Sequence, residues 1–465
     1  MSSNRPTQGA LCSNDSTTEG KPNGMDLTET PLLARETLHE RFEVTEEFGF
    51  VSECPLTTLP EYFQPWTDIA NNLQQLVLQK KIREAVEKLP LIDHNKLTTK
   101  AEWITAHMIL AHIAQGYVWQ NGEEGIPKVL PKSIAVPFHA CSEYLQIPAN
   151  MNNFNGVLVN WKLKDCNKAV NVENLDRITT LIGGDDEVWF FMVALMVEKK
   201  FGPALYAIAD AQQAVSCQDD KKLESALRVI ETAVHEMEEQ LKRMKEGNDP
   251  SKFYDVIRPC LAGWNDPVFK KRGVDGLIYE GVSEKPISLP GGTSAESTTL
   301  STLDAALGIS HRPEDEIICE DFKKYMPPKH RELLIAVTKG PSIRKYVLTK
   351  RNPDLDAAYN GCLEAVKLFR NTHLQLVARY VIVPSRRNTS GQGRVFVGTG
   401  GTGFMQFLKG LRDSTLQAFI RKDPTDENFG IDGRKSSITS YRLLATAGVI
   451  SVFGIACLAF FRKCR

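Results

Sequence analysis

Paired cysteines are missing from this sequence: ten cysteines are scattered over 465 residues without a CxxC unit or any zinc-like spacing. That distribution argues against a disulfide framework and fits reduced thiols in a cytosolic compartment. The nine histidines do not cluster either, and no HExxH or His-x-His pair occurs, so conventional zinc chemistry is not indicated. No Walker loop, no GxGxxG beside a strand and no GxSxG elbow is present. Charge of one sign is also lacking. The net charge is −1, with Lys and Arg spread along the chain, so nothing predicts a nucleic-acid partner. Strand-like alternation is scarce.

What is present begins with two unlike ends. The first 26 residues are polar, with no apolar core of the kind a signal peptide carries. Their Ser, Thr, Asn and Gly content cannot bury enough surface to offset ordering entropy, so residues 1–44 are expected to be disordered. At the other end, residues 443–461 form an uncharged run of 19, LLATAGVISVFGIACLAFF, bracketed by basic residues. A helix of that length reaches roughly 29 Å, about one hydrocarbon core. The expectation is a single C-terminal transmembrane anchor, on the mitochondrial outer membrane or the endoplasmic reticulum, with the preceding chain in the cytosol.

Between the ends the pattern is helical. Residues 82–89, 100–117, 187–209 and 221–244 carry apolar positions at helical period, the last with many charges on its opposite face. Proline-containing connectors at 129–137 and 147–155 separate these blocks. A small N-terminal domain is expected at 45–150, a large helical domain at 151–421 and a linker at 422–442. Residues 385–397 read as an exposed loop. The GTGGTG run at 398–403 reads either as a flexible turn ahead of a helix or as a hinged loop closing over a ligand.

One histidine stands out. In 355–384 the residues Cys362, Ala365, Val366, Phe369, His373, Leu376, Val377 and Tyr380 recur at spacings of three and four, which places His373 on the buried face of a long helix. A buried imidazole must find a hydrogen-bond partner or coordinate something. From the stripe alone, a satisfied core histidine and an iron ligand both stay open.

A set of phrases in fixed order adds to this: GYVW (116–119), KVLPKSIAVP (128–137), VLVNWKLKD (157–165), FFMVALMVE (190–198) and GLIYEG (276–281). They are followed by GGTSAEST (291–298), YMPPKHRELL (325–334), RNTHLQLVARYVIVP (370–384) and GTGGTGFMQFLK (398–409). Together they resemble the indoleamine 2,3-dioxygenases, haem enzymes that open the indole ring of tryptophan. The resemblance covers about residues 45–420. It implies an all-α, two-domain fold with haem b between a small and a large domain, to which the tail would add a transmembrane helix.

By the same resemblance His373 is the proximal iron ligand, and Arg370 and Asp304 form the polar network behind it, an ordinary salt bridge being the alternative. Phe154, Val157, Phe190 and Phe191 match the apolar indole pocket, though each reads equally as core. Arg258, an arginine before a proline in a largely apolar stretch, matches the partner of the substrate carboxylate. Phe253, Leu261, Gly292 and Thr293 match neighbours of that space, and Thr399 and Gly400 the closing loop. No side-chain acid or base is implied. The expected partners are L-tryptophan, dioxygen, an electron donor that keeps haem ferrous, and a membrane. Three positions depart from the family pattern: Ala194 and Thr293 where serines are common, and Gly156 where a cysteine is common, which suggests a roomier pocket. Two further readings compete, a haem oxygen carrier or sensor on the same fold, and a signalling scaffold using a phosphotyrosine pattern around Tyr279.

Overall fold

The protein is described here by a computed structural model covering residues 33–386 and 403–421. Among these residues ten helices have ten or more residues: α1 (Lys100–Trp119), α2 (Lys132–Leu145), α3 (Asp185–Lys200), α4 (Gly202–Cys217), α5 (Asp220–Lys242), α6 (Thr298–Leu307), α7 (Pro313–Phe322), α8 (Pro328–Lys339), α9 (Pro353–Val377) and α10 (Phe404–Ala418). Strand is confined to two-residue pieces. Val129–Leu130 pairs in parallel with Ile278–Tyr279, and Lys162–Leu163 pairs antiparallel with Leu175–Asp176.

Local chemistry accounts for the helix limits. Thr99 and Glu102 form a reciprocal capping box at the start of α1, satisfying two orphan amides. From Thr105 to Val118 every residue of α1 is buried, so this helix runs through the interior. The periodic block at 187–209 resolves into α3 and α4, because Pro203 has no amide hydrogen to continue a helix and opens the second one. The stretch around Pro137, expected as a connector, is helical: α2 runs through that proline. Within 33–44, Leu33, Leu38 and Phe42 are buried around the short helix Leu38–Phe42.

α5 packs between α4 and α9. Leu223, Leu227, Ile230, Val234 and Met237 repeat every three or four residues on its buried face. Each such side chain contributes about 1.5–3 kcal/mol when fully buried. α9 starts at the Asn352 cap, with Pro353 in its first turn and Asp354 and Asp356 complementing the helix dipole. It ends in a π-turn, Ala378–Ile382, and two more π-turns occur at Phe154–Leu158 and Phe253–Ile257.

The chain divides into a unit ending at Phe419 and a second unit, Ile420–Arg465. The expectation of a transmembrane helix is corrected: among the described residues no helix is long and apolar enough to cross a membrane. The longest ones, α5 and α9, are amphipathic with charged faces, and α1 includes Lys100, Glu102, His107 and His112. Residues 443–461 lie outside the described residues. The described residues are therefore helical without a membrane span, and the expected localisation on an organelle membrane is not upheld.

Candidate active site

A cavity of about 340 Å³ opens where α3, α6, α9 and α10 meet, a size typical of small-molecule sites. α3 presents Phe190, Ala194 and Glu198, spaced by four, to it. α9 presents Phe369, Arg370, His373 and Leu376. Two of the three π-turns among the described residues border the same wall, Phe253 at the start of one and Tyr380 in the middle of the other. An inserted residue in a helical turn redirects the side chains that follow, and such turns recur at functional sites.

His373 borders this cavity, and among the described residues no group hydrogen bonds to its ring. Burial among apolar side chains lowers its pKa to about 4, so the imidazole is neutral with a free lone pair at neutral pH. One turn earlier Arg370 donates from Nη2 to Asp304 Oδ2 at 2.6 Å and from Nη1 to the Leu411 carbonyl at 2.8 Å. It also donates to Thr415 Oγ1, which fastens α10 to α9. Burial raises the Asp304 pKa, but Arg370 and then His311 outweigh it and hold the carboxylate below its usual range. Asp304 Oδ1 is buried with no partner among the described residues.

On the other side Arg258 borders the cavity, its guanidinium carbon 5.6 Å from the centre of the Tyr254 ring. The segment Arg258–Leu261 is held by α1. Gln115 donates to the carbonyls of Cys260 (2.7 Å) and Ala262 (2.8 Å), and Trp119 to that of Ala262 (3.1 Å). Two backbones then cross at Gly263 and Gly291. A Cβ on Gly291 would stand 2.1 Å from the Leu261 carbonyl oxygen, and one on Gly263 2.2 Å from the Gly291 nitrogen. Only glycine permits that approach. The crossing sets Leu261 beside Gly292 and Thr293 on the cavity wall. Thr293 Oγ1 accepts from the Ala295 amide at 3.3 Å, which leaves its own hydrogen for a ligand.

The structure thus brings together His373, Arg370, Asp304, Phe190, Phe253, Arg258, Leu261, Gly292 and Thr293. Phe154, Val157 and Phe191 are buried but do not line the cavity. Phe154 and Val157 sit in a π-turn, and Phe191 packs edge-on behind Phe190 with ring centres 5.1 Å apart. Gly156 does not widen the pocket, because the Phe191 ring lies 3.3 Å from where its Cβ would be. Thr399 and Gly400 lie outside the described residues. Tyr279 is fully buried, bonded to Trp264 and the Ala149 carbonyl, which removes the docking reading of that tyrosine.

Three residues were not anticipated. Glu198 lines the cavity and accepts from Thr299 Oγ1 at 2.5 Å, and burial raises its pKa against the opposing influence of the neighbouring polar groups. Its signal was present, a glutamate on the same helical face as Phe190 and Ala194. Asn153 lines the cavity from the residue before a π-turn, a placement that no periodicity reveals. His311 donates from Nε2 to Asp304 Oδ2 at 2.9 Å.

Comparison with known proteins identifies the scaffold. Residues 38–418 match the family model described as Indoleamine 2,3-dioxygenase. Indoleamine 2,3-dioxygenase 1 of Rattus norvegicus is 36% identical over 84% of this chain and 98% of its own length. Indoleamine 2,3-dioxygenase 2 of Homo sapiens is 34% identical over 82% and 95%. A protein named Myoglobin from Haliotis madaka is 33% identical over 81% and 97%. Haem iron is the cofactor of this family's dioxygenases. The residues present fit it: an apolar cavity carries a neutral imidazole without a hydrogen-bond partner among the described residues, with a buried arginine–aspartate pair beside it. This chain belongs to the indoleamine 2,3-dioxygenase family of haem-dependent enzymes.

Proposed function

We propose that this protein opens the indole 2,3-bond of L-tryptophan with dioxygen to give N-formylkynurenine, the first step of the kynurenine route of tryptophan catabolism. Both oxygen atoms enter the product, one on each carbon of the broken bond. His373 would hold haem b, with Arg370 and Asp304 orienting the turn that carries it. Bound haem would supply a ferrous iron that reacts with dioxygen. Phe190 and Phe253 receive the indole, and Arg258 pairs with the substrate carboxylate. Leu261, Gly292 and Thr293 form the wall beside it, and Thr399 and Gly400 close over the substrate and exclude water. Phe154, Val157 and Phe191 support that pocket from behind. An electron donor is the remaining partner, keeping the iron ferrous. No side-chain general base takes part.

The observation that carries this reading is the placement of Arg258 and His373 on one cavity. An arginine there suits an amino-acid carboxylate, and oxygen storage has no use for it. The test is turnover by purified, ferrous, haem-reconstituted protein with tryptophan and oxygen. N-formylkynurenine is expected to accumulate. Arg258→Ala is expected to lower kcat/KM by about 2–4 kcal/mol, roughly 30- to 1,000-fold, with an unchanged haem spectrum. An unaltered rate refutes the clamp.

A second reading, a non-catalytic haem protein that carries or senses oxygen, is favoured by the likeness to the Haliotis madaka protein named Myoglobin. Reversible oxygen binding without consumption of tryptophan in the same assay selects it.

A further inference from the structure

His311 is bonded to the Asp304–Arg370 pair although no motif of the sequence points to it. Its position follows from the end of α6. Gly308 there takes a left-handed conformation (φ +63°), and the Ile309 amide turns back to the Asp304 carbonyl at 2.9 Å. This cap reverses the chain so that the imidazole, seven residues after Asp304, returns over the last turn of the helix. Nε2 then donates to Asp304 Oδ2 at 2.9 Å, and Nδ1 is buried without a partner among the described residues.

Asp304 Oδ2 therefore receives two donors, Arg370 Nη2 at 2.6 Å and His311 Nε2 at 2.9 Å, while Oδ1 receives none. Two donors on one oxygen fix the plane of the carboxylate, which a single contact to a flexible arginine would not do. The fixed carboxylate in turn holds Arg370, one turn before His373 on α9. Arg370 also grips Leu411 and Thr415 of α10. His311 does not itself line the cavity, and its influence on the site passes through its bond to Asp304, which does.

We propose that His311 is a positioning residue for the haem site, locking the Asp304 carboxylate so that Arg370 and the turn carrying His373 keep one geometry. The proposal rests on the reading of His373 as the iron ligand. Partners bonded directly to a ligating side chain typically change metal affinity or activity by roughly 10- to 100-fold, and a residue acting through Asp304 falls at the lower end of that range.

The experiment compares wild type, His311→Leu, His311→Gln and Asp304→Asn as reconstituted full-length proteins. The readouts are the iron–histidine stretching band of the ferrous form, haem affinity of the apoprotein, and Tm. His311→Leu is expected to shift the band and weaken haem binding roughly tenfold or more, while His311→Gln, whose amide still donates, restores both. Asp304→Asn is expected to move the band as His311→Leu does, and it answers the question even if His311→Leu does not fold. A band and affinity unmoved in His311→Leu or Asp304→Asn overturn the proposal, as does a loss of Tm alone. A wild-type protein lacking any iron–histidine band instead removes the His373 assignment itself.

Discussion

Two histidines on long helices, His112 buried in α1 and His373 on the cavity side of α9, differ in what their ring nitrogens do. The Nδ1 of His112 donates to the Met108 carbonyl at 2.7 Å, and its Nε2 accepts from Arg177 at 2.8 Å and Asn160 at 3.1 Å. Arg177 is fully buried, also donates to the Thr179 carbonyl, lies 3.2 Å from Glu187, and covers the Phe191 ring at 3.5 Å. Glu187 accepts from three successive amides, Leu181, Ile182 and Gly183. Both ring nitrogens of His112 are engaged in this cluster, although Arg177 Nη1 meets Glu187 as an ion pair without a hydrogen bond, and the guanidinium braces the back of Phe190 through Phe191. The region around His373 does the reverse: the imidazole has no partner among the described residues, and Asp304 and Arg370 beside it keep uncommitted atoms. An imidazole with both nitrogens engaged is a structural group, and one that borders a cavity with no partner among the described residues suits a ligand.

The sharpest way to break this contrast is to remove each centre in turn. His373→Ala is expected to abolish stable haem incorporation and all turnover while the apoprotein keeps its fold, as read by Soret absorbance and circular dichroism. Full haem content in that variant ends the assignment of the open region as the cofactor site. Arg177→Met is expected to do the opposite. It strands a buried glutamate and should cost about 3–5 kcal/mol in urea unfolding, while the folded fraction still takes up haem.

Acid supplies the smallest and most graded test, on the haem-free protein. Burial lowers the pKa of His107 and His373 to about 4 and that of His112 and His330 to about 3, the last two helped by Arg177 and Lys100 respectively. Unfolded histidines titrate near about 6.5, so between there and the folded values the unfolded chain binds more protons. Stability from these residues is complete above pH about 6.5 and is lost as pH falls towards 4, at up to about 1.4 kcal/mol per pH unit for each. Glu198 and Glu296, both raised by burial, work in the other direction, since the folded protein takes up their protons first. The expected outcome is a urea midpoint that drops between pH 6.5 and 4.5. A midpoint that rises over that interval contradicts the burial of these imidazoles.

Much of the architecture was legible because helices advertise themselves. The stripe from Cys362 to Tyr380 is buried as its spacing required, except His373 and Val377, which are half-buried and border the cavity. The π-turns were not legible, since one extra residue per turn leaves no mark on a periodic pattern. Nor could periodicity separate wall from backing. Phe190 and Phe191 are adjacent in sequence and both apolar, yet only the first reaches the cavity. Spacing placed His373 on the inner face but could not tell it from His112. That distinction depends on Asn160 and Arg177, which come from distant parts of the chain. The pair Arg370–Asp304 was available from the resemblance, whereas His311 required the three-dimensional reversal at Gly308.

The crossing of Gly263 over Gly291 bears on how this pocket can diversify. Any side chain at either position would collide with main chain, which cannot rotate aside as a rotamer does. The floor bearing Leu261 and Thr293 is therefore closed to retuning at its hinge point. New ligand preferences on this scaffold must come from the tips that project from it, one residue at a time, while the crossing beneath them stays fixed.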